Sequence, residues 1–331
     1  MTKKVVFFED KNRFSEALKY FKLDSFKNKK VPLKLHMGEK NNKYYPKPAL
    51  VEEIVSELKK REISPFLFDT TVAYYARRNT KQGYEKLAED HGFTEKNVGC
   101  QVIIDDTGVK KTLENRDYMV ADHLDESSCI FALSHVKGHN ATGMGGAIKN
   151  FGMGGVTKET KRMIHHSSRP VYKKDECTYC GICAELCPFN ALQVDKKEQM
   201  WNQDMDSCFG CGVCVNVCKN DALDFIDADL QYLLASSAKA VLDGKNVIYL
   251  NELKRISKGC DCDPNSGPLI CPDIGYLLSD DPVAVDKASL DLINNVKKDV
   301  FIKENYIDPF LQIKYGEKLG LGSSSYSLRK I

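Results

Sequence analysis

The chain has 331 residues, 42% hydrophobic and 28% charged, more than one small domain requires and enough to bury a substantial core. Its 48 Lys and Arg face 46 Asp and Glu, and the net charge of +2 leaves no electrostatic footprint for nucleic acid or an anionic membrane. The apolar run Val5 to Phe8 is too short for a signal-peptide core, and no later segment approaches the roughly 18 apolar residues of a membrane helix, so a cytoplasmic protein is expected.

Read in chain order, short β-rich runs alternate with helical patterns. Strands are predicted at "KVVFF" (4–8), "VPLKL" (31–35), "PFLF" (65–68), "QVIID" (101–105) and "CIFAL" (129–133). Between the second and third lies "PALVEEIVSELKKRE" (48–62), where Val51, Ile54, Val55 and Leu58 recur at helical spacing and Pro48 suits a first turn. The pattern breaks near Arg169–Pro170, and a cysteine-dense segment runs to about Asp227. Alternation then resumes with a helix over 229–244, a strand over 246–250 and a helix over 282–299. The expected fold is α/β, a largely parallel sheet covered by helices, with an inserted ferredoxin-like module for two [4Fe–4S] clusters. The expected units are an α/β part at 1–170, the cluster module at 171–228, and the rest of the α/β domain with a C-terminal tail at 229–331. Polar residues and glycine in 314–331 predict a poorly ordered terminus.

Thirteen cysteines in a reducing compartment point to metal or cluster ligation rather than disulfides. "CTYCGICAELCP" (177–188) and "CFGCGVCVNVCK" (208–219) both space their thiols C-x2-C-x2-C-x3-C. Three closely spaced thiolates wrap one cluster, and the fourth ligates the other in two-cluster ferredoxins. On that rule Cys177, Cys180, Cys183 and Cys218 hold one [4Fe–4S] cluster, and Cys208, Cys211, Cys214 and Cys187 the second. A separate group, Cys260, Cys262 and Cys271, reads either as a turn with incidental cysteines or as a further metal site. The metal reading takes a fourth ligand from Cys129, Cys100 or a histidine, with Asp261 and Asp263 as ligands or supports.

Ligands of open parallel sheets bind beyond the carboxyl ends of the strands. Lys34 and His36 close the second strand, and Asp69, Thr70 and Thr71 the third. Ser134, His135, Lys137 and His139 follow "CIFAL", and Asn251 and Glu252 follow "NVIYL". This concentration predicts a shared site. Histidine titrates near neutral pH, so His135 and His139 are candidates for proton transfer or metal ligation, with Asp69 orienting a histidine or lysine. Lys34, His36, Lys137 and Lys149, with Gly143, Gly145 and Gly146, are candidates for holding an anionic ligand or cofactor, a phosphate or carboxylate. The glycines lie in "GMGGAIKNFGMGG" (143–155), which carries neither dinucleotide nor Walker spacing. Its Met144, Ile148, Phe151 and Met153 favour a structured loop over a linker, and "AIKN" is expected to open a helix facing the anion.

"LKLHMGE", "SHVKGHNATGMGGAIKNFGMGG", the double cysteine run and "CDC…PDIGYLLSDDPVAVDKASLDLI", in that order over roughly residues 30–297, resemble the prokaryotic iron–sulfur-centre family catalogued as domain of unknown function 362. The resemblance implies an α/β domain paired with a ferredoxin module, and a reaction that is largely unassigned. The functional expectation is an iron–sulfur oxidoreductase that passes electrons from a redox partner protein or small donor, through two [4Fe–4S] clusters, to an anionic substrate or cofactor at the strand ends. The alternatives are an electron carrier or adaptor without chemistry of its own, and a metal- or cluster-handling protein using the Cys260 group.

Overall fold

The computed structural model describes residues 2–331. Its main sheet is built from β1 (Lys3–Phe8), β2 (Lys30–Lys34), β3 (Ser64–Thr70), β4 (Val102–Asp105), β5 (Cys129–His135), β6 (Asn246–Leu253), β7 (Gly275–Ser279) and β8 (Tyr326–Lys330). The spatial order is β8-β1-β7-β6-β5-β2-β3-β4. Only β7 runs against its neighbours, so the fold is mixed α/β with a mostly parallel sheet.

Side-chain alternation explains why helices must cover both faces. Val5 and Phe7 of β1 enter one apolar core while Val6 and Phe8 enter the other. Ile130 and Ala132 are divided from Phe131 and Leu133 in the same way along β5. Strands buried on both sides read as unbroken apolar runs, which is why the sequence shows them clearly. On one face lies α1 (Pro48–Lys59), burying Leu50, Val51, Ile54, Val55 and Leu58. Each such burial stabilises by roughly 1.5–3 kcal/mol, so a charge at Ile54 would undo the helix's docking. On the other face lie α2 (Ala147–Gly154), α4 (Leu230–Leu242) and α5 (Pro282–Val296), with α3 (Lys158–Ser167) following α2. Gly152 lets α2 approach α4 closely: a Cβ there would sit 2.3 Å from the Leu234 carbonyl oxygen.

The chain between α3 and α4 adds no strand to the main sheet. Two small antiparallel pairs, Pro170–Tyr172 with Leu223–Phe225 and Leu192–Asp195 with Met200–Gln203, frame its cysteine runs. Among the described residues, no helix is long and apolar enough to cross a membrane.

The poorly ordered tail expected at 314–331 is corrected. Residues 310–318 form α6 (Phe310–Lys318), and β8 extends the sheet beside β1 in parallel register. Polar bonds organise this segment more than apolar burial does: Glu317 accepts from Ser324, and Asp281 from the Ser323 N–H at 3.1 Å. Composition carries no trace of such bonds. The antiparallel β7 and the hairpin of Gly108–Leu113 with Arg116–Ala121 also lie outside the predicted elements.

Candidate functional site

The thiol segment is folded by its glycines and then docked. Gly181, Gly210 and Gly212 have φ of 83°, 75° and 74°, the left-handed region that turns the chain between thiols. A Cβ on Gly210 would sit 1.8 Å from the His165 carbonyl oxygen, so this turn packs directly on α3. Arg169 Nη2 donates to the Cys208 carbonyl at 3.0 Å and fixes the same contact.

Cys187, Cys208, Cys211 and Cys214 line one small cavity, a set that joins the last thiol of the first run to the first three of the second. Burial and then the neighbouring Cys187 and Cys208 push the Cys211 thiol up to about 11. Burial also raises Cys183, with Cys180 and Cys218 beside it adding to the shift. Trp201 and Tyr172 stack at 4.4 Å, and the Trp201 indole N–H and the Tyr172 hydroxyl are buried without a hydrogen-bond partner. The indole sits beside the Cys183 thiol, and the phenol beside Tyr179 and the Cys177 thiol. Thiols that raise one another's pKa, ringed by donors lacking an acceptor, are compatible with a metal cluster.

A cavity of about 670 Å³ opens at the carboxyl ends of β2, β3 and β5. Lys34, His36, Asp69 and His135 come from those ends, Lys137 and His139 from the hairpin Lys137–His139/Gly143–Gly145, and Gly146 and Lys149 from the start of α2. The wall across from them is the thiol segment, through Pro188, Phe189, Phe209 and Cys211. His165 of α3 links the two, its ring 4.1 Å from that of Phe209 and its Nδ1 3.2 Å from the Gly210 carbonyl oxygen. Burial holds His165 neutral, lowering its pKa to about 4.

Buried ion pairs fix most of this lining. Lys34 Nζ meets Asp69 Oδ1 and Asn150 Oδ1, each at 2.9 Å, and Tyr84 donates to the other Asp69 oxygen. Burial lowers the Lys34 pKa. Burial also opposes the Asp69 carboxylate, but Lys34 and His36 keep its pKa lowered. Arg78 Nε donates to Glu39 at 2.9 Å, and its Nη1 lies 2.9 Å from His36 Nε2. Burial and Arg78 depress His36 to about 3. His135 is held at both nitrogens, by Asp261 at 2.9 Å and the Lys254 carbonyl at 2.8 Å. Lys137 completes that cluster at 3.4 Å from Asp261.

The anion cradle expected at the start of α2 is already filled. Asp286 accepts from the Ala147 and Ile148 N–H groups at 2.7 and 2.9 Å, and a Cβ on Gly146 would collide with its carboxylate. Burial pushes Asp286 up to about 6. Gly143, with φ of 67°, packs against the Ile307 carbonyl, and Gly145 pairs with Lys137 in the hairpin; neither lines the cavity. Met144, Ile148 and Phe151 are fully buried, so the stretch is no linker. Asn251 and Glu252 also turn away from the cavity, to Asp286 and Arg255.

The third thiol group is corrected in membership. Cys271 packs in the apolar core, and Cys100 and Cys129 in the core of the opposite face. The residue that joins Cys260 and Cys262 is His139, the three offering ligand atoms within 4.8 Å of one another. Lys149 Nζ lies 3.9 Å from Cys260 Sγ. The bond from Cys262, Lys149 and His139 hold the Cys260 pKa well below a thiol's ordinary value, and the same coupling raises Cys262.

Sequence reasoning missed Arg78, Asn150 and Lys161 on the cavity wall, where His165, a candidate metal ligand by sequence together with His166, also lies. Lys161 and His165 were legible in principle as an i, i+4 pair on one face of α3. Lys161 Nζ donates to Thr70 Oγ1 at 2.7 Å and to the Thr71 carbonyl, and burial brings its pKa down to about 7.

The family described as "Domain of unknown function (DUF362)" matches residues 31–291. No curated protein matches the sequence. Among solved structures, a Thermotoga maritima protein determined by a structural genomics consortium is 11% identical with a TM-score of 0.44, covering 90% of this chain and 59% of that one. The lactate racemase apoprotein from Thermoanaerobacterium thermosaccharolyticum is 13% identical with a TM-score of 0.37, covering 76% of this chain and 51% of that one. The chain thus spans little more than half the length of either.

Proposed function

The chain belongs to the DUF362 family, and on that premise we propose an iron–sulfur oxidoreductase that delivers electrons to an anionic ligand in the strand-end cavity. The observation that carries the reading is the make-up of the cavity wall, where Cys211 and Phe209 of the thiol segment face Lys34, Lys149 and Lys161 across one space. Cys177, Cys180, Cys183 and Cys218 would hold an outer [4Fe–4S] cluster, and Cys208, Cys211, Cys214 and Cys187 an inner one. When bound, the clusters supply one-electron transfer between an outside donor and the cavity. Cys180 is exposed, within reach of a redox partner protein or a small donor, whereas Cys211 and Cys214 are buried.

Charge selects the ligand class. Lys34, Arg78, Lys137, Lys149, Lys161 and Lys258 line the cavity, against Asp69 and Asp263 there and Glu39 and Asp261 behind it. The excess of cations favours a phosphate or carboxylate. Lys161, with a pKa of about 7, is the group suited to hold or release a proton at its Nζ in neutral solution. His135, engaged at both nitrogens, instead positions Asp261 and through it Lys137.

The test is anaerobic purification followed by iron and acid-labile sulfide analysis, with about eight iron atoms expected. A potentiometric titration with and without inorganic phosphate or a small carboxylate should then show a shifted midpoint, absent in Lys149→Ala at unchanged iron content. Four or fewer iron atoms, or no shift with any anion tried, would overturn the reading.

A further inference from the structure

We propose that His139, Cys260 and Cys262 form a mononuclear site for a divalent first-row metal, zinc or ferrous iron, with an open coordination position facing the cavity. This goes beyond the proposed electron delivery and does not rest on it, because its ligands are separate from the eight thiols of the inserted segment.

The ligand atoms lie within 4.8 Å of one another, a separation that a single ion spans. Two thiolates and an imidazole make a soft-to-borderline donor set, which suits zinc or iron and not magnesium or calcium. Three protein ligands with a free fourth position is the arrangement of catalytic rather than structural zinc. All three residues line the cavity, so that fourth position opens towards bound ligand. With Nε2 on a metal, the imidazole proton sits on Nδ1, and the present Ala141 N–H contact to Nδ1 at 3.1 Å gives way.

The loop presenting the thiols is held as a ligating loop has to be. Its successive carbonyls each have a partner from elsewhere in the fold. Glu39 N–H donates to Asp261 O at 3.0 Å, the Tyr74 hydroxyl to Cys262 O at 3.3 Å, and Asn42 Nδ2 to Asp263 O at 2.8 Å. Ser266 Oγ donates to Cys260 O at 3.1 Å. Between the two thiols, Asp261 anchors the loop through His135 and Lys137. Gly138 lets the strand that carries His139 touch this loop, since a Cβ there would lie 2.1 Å from the Lys258 carbonyl oxygen. Its N–H also donates to Ser257 O at 2.9 Å. Around the thiols, the Cys262 N–H reaches Cys260 Sγ at 3.4 Å and Lys149 Nζ lies 3.9 Å from it, supports that temper thiolate charge on a metal.

The experiment is metal analysis of the full-length chain, purified anaerobically and then incubated with zinc ions, alongside acid-labile sulfide. One equivalent of zinc, or of iron in excess of sulfide, is expected in the wild type and in Cys271→Ser. That equivalent should be lost in Cys262→Ser and in His139→Ala at unchanged sulfide content and far-ultraviolet circular dichroism. Zinc-edge X-ray absorption should give two sulfur ligands at about 2.3 Å and one nitrogen at about 2.0 Å. Retention of the full equivalent in both variants would overturn the site, as would a Cys260–Cys262 disulfide in anaerobically digested protein. Sulfide content reports the cluster proposal separately, so either reading can fail alone.

Discussion

The inserted segment and the Cys260 loop hold thiols by opposite means. In the insert, thiols come in local runs, turned by Gly181, Gly210 and Gly212, over a satellite core whose buried members among the described residues are Leu192, Cys214 and Leu223, while Cys211 and Val213 pack against α3 and α4. The Cys260 loop has two thiols, takes its third ligand candidate from a distant hairpin, and is braced by Glu39, Asn42 and Tyr74 from the first half of the chain. The first arrangement lacks apolar content to stand unaided; the second is held by the finished fold. On the proposed reading, one depends on a bound cluster and the other on where it sits.

Iron removal should separate the two regions most sharply. After anaerobic chelation, hydrogen exchange at residues 177–219 is expected to approach that of unfolded chain, while β5 and β6 keep their protection. Those strands are buried in the main cores, to which the thiols of the insert contribute nothing. If the insert stays protected without iron, its small core is sufficient and the contrast drawn above is wrong.

Next in size is the docking of the insert. Gly210→Ala places a methyl 1.8 Å from the His165 carbonyl oxygen and strains a φ of 75°. A loss of roughly 1–3 kcal/mol is expected. It should appear in a calorimetric melt as an earlier transition for the insert, with the main transition unmoved. Equal shifts of both would mean that the two regions unfold as one.

The two regions were also unequally legible. Regular thiol spacing announces itself, because in the proposed arrangement three ligands of each cluster would come from neighbouring residues. The strand-end residues Lys34, Asp69 and His135 were legible too, since topology alone carries them to one edge. Which of the candidate cysteines and histidines joins Cys260 was not, nor was Arg78 behind His36. Those contacts depend on which loops cross, and no local period records it. Asp286 shows the same limit: a helix N-terminus is visible in "AIKN", but the carboxylate that fills it arrives from α5.

Asn42 probes the bracing of the second region. Its amide bonds Asp263 O and the Ser266 hydroxyl, and it is nearly buried. Asn42→Ala leaves those acceptors unmet and should cost about 1–3 kcal/mol in denaturant unfolding. The loop's metal affinity should fall with it, while sulfide content stays constant. Unchanged affinity would locate the organisation of the loop in Asp261 instead.

The smallest effect tests whether the cavity between the regions selects anions by charge. Lys161 is buried, and its pKa falls from the ordinary 10.5 to about 7. Below pH 7 the ammonium is charged and attracts an anion; above it the amine is neutral and the attraction goes. Affinity for inorganic phosphate or a small carboxylate, measured by calorimetry, should therefore be steady at pH 6 and fall by up to about tenfold per unit above pH 7. Lys161→Met should bind more weakly at pH 6 and lose that slope. Asp286 titrates in the same range, with a pKa near 6, so the variant is needed to assign the slope. Asp286 faces the α2 amides and Asn251 rather than the Lys161 amine, so a slope that persists in Lys161→Met would move the assignment to Asp286. Loss of the slope would leave Lys161 as the cation whose charge the anion reads.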